Sequence, residues 1–86
     1  MELFLSVRFQ QSYKRLADVD KSSVRKALAL LAQDPGYPGL QVKKMRGRGD
    51  VWEARCSLRI RMTFAIVGDL ANMRNVGEHD KVLKNP

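Results

Sequence analysis

Three arginines and one histidine carry the most specific chemistry that this sequence allows. Arg55, Arg59 and Arg61 fall close together, and His79 is the only histidine of the chain. A guanidinium group grips phosphate through paired N–H donors and stabilises the added charge of a pentacoordinate phosphorus. An imidazole titrates near neutrality and can carry a proton to or from such a centre. A second group, Lys43, Lys44, Arg46 and Arg48, lies in a stretch that also holds Gly47 and Gly49. Cations beside a glycine-rich turn can follow a nucleic-acid backbone.

Each feature has a plainer reading. Glu53 falls on the same strand face as Arg55 and can neutralise one arginine across strands. A basic hairpin tip is often only solvated, and a single histidine is more often structural than catalytic. Asp80 can orient the His79 ring or cap the tail.

What is missing narrows the chemistry. There is no cysteine or histidine cluster at metal-ligand spacing, no phosphate-binding P-loop and no GxGxxG segment. The carboxylates are scattered along the chain, without an obvious metal-binding pair. Cys56 has no second histidine to activate it and reads as a core residue on the Trp52 face. A nuclease made of these parts is expected to need neither metal nor other cofactor. RNA suits it better than DNA, because the 2′-hydroxyl supplies the nucleophile.

Charge points the same way. Sixteen Lys and Arg against nine Asp and Glu give a formal net charge of +7 in 86 residues, so contact with a polyanion or an acidic partner is expected. The length and ordinary composition predict one domain spanning residues 1–86. One cysteine fits a reducing compartment. The apolar start, interrupted at Arg8, is too short for a signal peptide or a membrane span. A soluble, cytoplasmic protein is the expectation.

The elements that must position these residues follow from periodicity. Leu3, Leu5 and Val7 alternate with more polar neighbours, which predicts a strand. Phe9, Tyr13 and Leu16 then share one face of a short helix ending near Ala17. A second helix begins near Lys21, capped by the Asp18–Asp20 segment. Its apolar stripe is Val24, Ala27, Leu28 and Leu31, and it stops before Asp34-Pro35-Gly36. Strands are predicted over Leu40–Met45, Val51–Cys56, Arg59–Val67 and Leu70–Val76, with turns at 46–50, Ser57 and Gly68-Asp69. Residues 81–86 read as a tail. The class is α+β: an N-terminal strand, a helical hairpin, then an antiparallel meander of about four strands, in the order β-α-α-β-β-β-β. One sheet face packs on the hairpin, and the other, or part of it, carries Arg55, Arg59 and Arg61.

At four places the chain resembles the RelE/ParE superfamily of toxins. Tyr37-Pro38-Gly39-Leu40-Gln41-Val42-Lys43-Lys44-Met45-Arg46-Gly47 is similar to their "hPGL-x-v-x-Kl-x-G" segment. Val51-Trp52-Glu53-Ala54-Arg55 resembles the "w-x-x-R" strand, and Ile60-Arg61-Met62-Thr63-Phe64 the strand after it. Val76-Gly77-Glu78-His79-Asp80-Lys81-Val82-Leu83 is similar to the terminal "vG-x-HD-x-v-y" motif.

The resemblance implies a cognate antitoxin as partner. In its RelE branch it also implies metal-independent cleavage of mRNA on the ribosome, which inhibits translation. Lys43, Lys44, Arg46, Arg48 and Arg59 would then bind RNA. Arg55 and Arg61 would stabilise the scissile phosphate, and His79 would transfer a proton. The chain departs from the pattern where several RNA-cleaving members carry a terminal tyrosine: Asp80 and Leu83 stand nearby instead. Two other readings stay open, a ParE-like, non-enzymatic inhibitor of DNA gyrase and a non-toxic module that binds RNA or an antitoxin.

Overall fold

The computed structural model describes residues 1–86. Five strands form one sheet in the order β1-β5-β4-β3-β2, where β1 is Glu2–Leu5, β2 Lys43–Lys44, β3 Val51–Arg55, β4 Ile60–Val67 and β5 Leu70–Glu78. Strands β2 to β5 run antiparallel, as the meander predicts, and β1 pairs with β5 in parallel. The sequence patterning carries no sign of that last pairing. Helices α1 (Val7–Lys14) and α2 (Asp18–Gln33) follow β1.

Local chemistry explains most boundaries. The Ser6 hydroxyl accepts a hydrogen bond from the Phe9 amide at 3.1 Å, so α1 starts at Val7 rather than at Phe9. Helix α2 starts at Asp18, earlier than the expected Lys21. Asp18 and Asp20 sit in its first turn, where negative charge suits the helix dipole, and no side chain caps it. The β4–β5 connection is Gly68-Asp69. Only Gly68 has positive φ (60°), as in a hairpin turn with glycine at its first central position.

Two expectations are corrected. The strand expected over Leu40–Met45 is reduced to Lys43–Lys44, because Pro38–Leu40 winds into a 3₁₀ turn and puts Leu40 into the core. The expected tail instead begins with a short helix, α3 (His79–Lys84), whose Val82 is buried. Gly77 permits its close approach: a Cβ there would stand 3.2 Å from Val82 Cγ2.

The alternation in β4 divides the sheet into two faces. Ile60, Met62 and Phe64 join Ala54, Met73 and Val76 on the face that meets Phe9 of α1 and Val24, Ala27 and Leu31 of α2. A bulge in the β4–β5 ladder pairs Thr63 with Asn75 and Phe64 with Met73, leaving Arg74 as the extra residue. The slip keeps both Met73 and Val76 on the core face despite their odd spacing. No helix is long and apolar enough to cross a membrane.

Candidate phosphate-binding site

The opposite face carries the candidate site. Arg55 and Arg61 are direct cross-strand partners on β3 and β4, and Arg61 is in turn opposite Gly77 on β5. The tight turn between β3 and β4 fixes Arg61. The Cys56 amide donates to the Ile60 carbonyl at 2.9 Å, and the Ser57 hydroxyl accepts from the Ile60 amide at 3.2 Å. Arg61 Nη1 then donates to the Ser57, Leu58 and Ile60 carbonyls, at 2.7, 3.2 and 3.3 Å. Its guanidinium is thereby held in one orientation by neutral acceptors, with no carboxylate paired to it.

His79 enters from the junction of β5 and α3. Its amide donates to the Arg59 carbonyl at 2.8 Å, tying the start of α3 to the end of β4. Its Nδ1 lies 3.1 Å from Asp80 Oδ1. With Nδ1–H donated to that carboxylate, Nε2 is the nitrogen left free for proton transfer. Asp80 is almost fully exposed, so this contact orients the ring without strongly stabilising the fold. Leu58, Arg59, Arg61, Glu78, His79 and Asp80 line one open cleft of about 490 Å³.

The structure thus brings Arg61, Arg59 and His79 to one cleft. Arg55 stands beside Arg61 in the sheet but does not line the cleft. Arg59 has a second engagement that the sequence did not suggest. Its Nη2 holds both carboxylate oxygens of Asp20 on α2, at 2.9 and 2.7 Å, so part of its charge is already neutralised. Glu78 is an addition to the site, and with Asp80, which orients His79, it gives the cleft a mixed charge.

The basic stretch is divided by its geometry. Lys43 is opposite Glu53 and Lys44 opposite Trp52, so the two lysines point to different faces, as neighbours in a strand must. Glu53, the possible neutraliser of Arg55, is paired instead with Lys43 at 4.0 Å. Lys44 lies 3.6 Å from Asp50. Arg46 is exposed and unpaired, whereas Arg48 reaches α3 and donates to the Leu83 and Lys84 carbonyls at 3.4 Å.

Cys56 belongs to the core side, as expected. Burial pushes its thiol from the ordinary 9.0 up to about 12, and the Arg61 guanidinium opposes part of that rise. At neutral pH this favours the thiol over the thiolate that a nucleophile needs. No three His, Cys, Asp or Glu side chains are grouped so as to hold a metal ion.

No family model matches the sequence, and no curated protein matches it. Solved structures do. YafQ from Escherichia coli superposes with a TM-score of 0.75 at 12% identity, over 94% of this chain and 96% of that one. A copper-bound mutant toxin from Helicobacter pylori gives 0.73 at 17% identity, over 95% and 98%. The RelB–RelE antitoxin–toxin complex from Methanococcus jannaschii gives 0.72 at 15% identity, over 96% and 99%. Both chains are covered almost completely in each case, so the agreement extends to the whole arrangement of sheet and helices. The chain has the fold of the RelE/ParE-type toxins.

Proposed function

We propose that this chain is the toxin of a toxin–antitoxin pair, acting as a metal-independent endoribonuclease that cuts mRNA on the ribosome and so inhibits translation. The observation that carries the reading is the shared cleft of Arg61 and His79, with Arg55 directly across from Arg61. A phosphodiester in that cleft meets a fixed guanidinium, whose Nη2 and Nε have no partner in the protein. The 2′-oxygen of the RNA attacks the adjacent phosphorus as the P–O5′ bond breaks, which leaves a 2′,3′-cyclic phosphate. Arg61 stabilises the charge that develops on the phosphate oxygens, and His79 Nε2 takes the 2′-hydroxyl proton and returns it to the departing 5′-oxygen. Arg55 adds positive potential from the neighbouring strand. Arg46 and Arg48 guide the backbone, with Lys43, Lys44 and Arg59 contributing less because each already faces a carboxylate.

An antitoxin partner is part of this proposal. Three of the similar structures are complexes of this kind, RelB–RelE, RelBE and DinJ–YafQ. A net charge of +7 suits an acidic partner segment, and a free toxin of this kind needs a silencer in the cytoplasm.

The test is purified protein incubated with ribosomes and message. New ends should carry a 2′,3′-cyclic phosphate or a 3′-phosphate, the signature of internal attack. Arg61→Gln should slow cutting by about 10²–10³-fold, the range for loss of one charge-stabilising donor. His79→Gln should cost about 10²-fold or more. Uncut message in an otherwise competent translation system would remove the ribonuclease reading. Filamentation with DNA damage on expression, without translation arrest, would favour gyrase.

A further inference from the structure

The face that carries Arg61 bears a second cation cluster at its other end. Arg8 of α1, Arg48 of the β2–β3 loop, Arg74 at the bulge of β5 and Lys84 at the end of α3 line a separate open cleft of about 280 Å³. The three arginines donate to main-chain oxygens of residues 83–86. Arg8 reaches Asn85, Arg48 reaches Leu83 and Lys84 at 3.4 Å, and Arg74 Nε reaches Pro86 at 3.2 Å. These acceptors are main-chain oxygens, and none of the four cations is paired with an Asp or Glu side chain. Four positive charges from four elements therefore share one cleft whose lining contains no Asp or Glu side chain.

We infer that this cleft is a second phosphate site, which holds a backbone phosphate of the same RNA strand whose scissile phosphodiester lies at Arg61 and His79. The inference rests on the ribonuclease reading above. Helix α3 spans the interval between the two clefts, with His79 at its start in one and Lys84 at its end in the other. Along β5, Arg74 and Glu78 are four residues apart, about 13 Å at the usual rise of a strand. One phosphate cannot fill both clefts, and a single strand running along α3 can.

The cleft's small volume and guanidinium lining suit a phosphate group. Neither cleft is lined by Phe, Tyr or Trp, so no base-stacking platform is present. Binding at the second site is accordingly independent of sequence and driven by release of counterions.

Lys84 offers a clean probe, since its ammonium makes no hydrogen bond or ion pair, so its loss leaves α3 fastened. The whole protein is titrated against a 2′-O-methyl RNA oligonucleotide, which cannot be cut by internal attack, over a range of potassium chloride concentrations. Lys84→Gln should lower the slope of log affinity against log salt by about one, equally for two unrelated sequences. Lys26→Gln, an equal charge change on the exposed side of α2, should leave the slope unchanged. An unaltered slope for Lys84→Gln, or equal losses for both variants, would overturn the second site. If Arg61→Gln lowers the slope and Lys84→Gln does not, the second site falls and the ribonuclease reading survives. If Lys84→Gln lowers it but message stays uncut on ribosomes, the phosphate cleft stands and the ribonuclease reading falls.

Discussion

On one face of the sheet, Ile60, Met62, Phe64 and Met73 meet two helices, and every member of that cluster is 3% exposed or less. On the other, Glu53, Thr63, Arg55, Arg61 and Gly77 lie under or beside a single six-residue helix. The first face is apolar and closed by α1 and α2, whose stripes match it. The second is polar and closed only in part, so arginines and a histidine stay open to solvent there. An arginine buried in the first face would carry a desolvation penalty too large to offset. The molecule separates the two tasks by using the period-two alternation of β3 and β4: one set of residues holds the fold, and the residues between them hold charge.

The sharpest way to break this division is to cut into the closed face. Phe64 is fully buried at the centre of the core, on the strand that also carries Arg61. Phe64→Ala should lower stability by about 3–5 kcal/mol in denaturant unfolding, from lost transfer energy plus an unfilled cavity. A change below about 1 kcal/mol would mean that the core face does not hold the fold as described.

The open face should respond less. Val82 is its main apolar anchor, and it packs on Gly77. Val82→Ala removes two buried methyl groups, worth about 1.6 kcal/mol by transfer. The loss should appear first as faster amide exchange in α3, with β4 amides still protected. Equal loosening of α3 and β4 would contradict the idea that the two faces are separately secured.

The same division explains what could be read from the sequence. The alternation from Ile60 to Ile66 and the stripe Val24–Ala27–Leu31 are strong periodic signals, and both elements form where they predict. The Arg61–His79 cleft was legible because short turns fix which residues of β3, β4 and β5 stand opposite each other. Helix α3 was not legible: six residues give less than two turns, and it is held by the burial of Val82 against Gly77 and by the His79 amide on the Arg59 carbonyl of the β3–β4 turn rather than by its own pattern. The pairing of β1 with β5 and the cluster of Arg8, Arg48 and Arg74 depend on long-range closure, which leaves no local trace. Leu40 misled because its apolar alternation with Val42 resembles a strand, while Pro38-Gly39 bends it into a 3₁₀ turn.

Cys56 sits where the two faces meet, and it sharpens the comparison most finely. Burial on the core side raises its thiol to about 12, while Arg61 on the open side pulls it down. The folded value lies above the unfolded one, so the protonated thiol's contribution is complete below about pH 9. It is lost progressively as pH rises from 9 toward 12, where the unfolded chain ionises and the folded one does not. The steepest loss is about 1.4 kcal/mol per pH unit. Tyrosines and lysines titrate in the same window, so the measurement is a difference: wild type minus Cys56→Ala, by urea unfolding at pH 8.5 and pH 10.5. The wild type should lose more stability over that interval. Equal losses would mean that the thiol is not desolvated, and that the open face reaches further beneath Arg61 than its packing indicates.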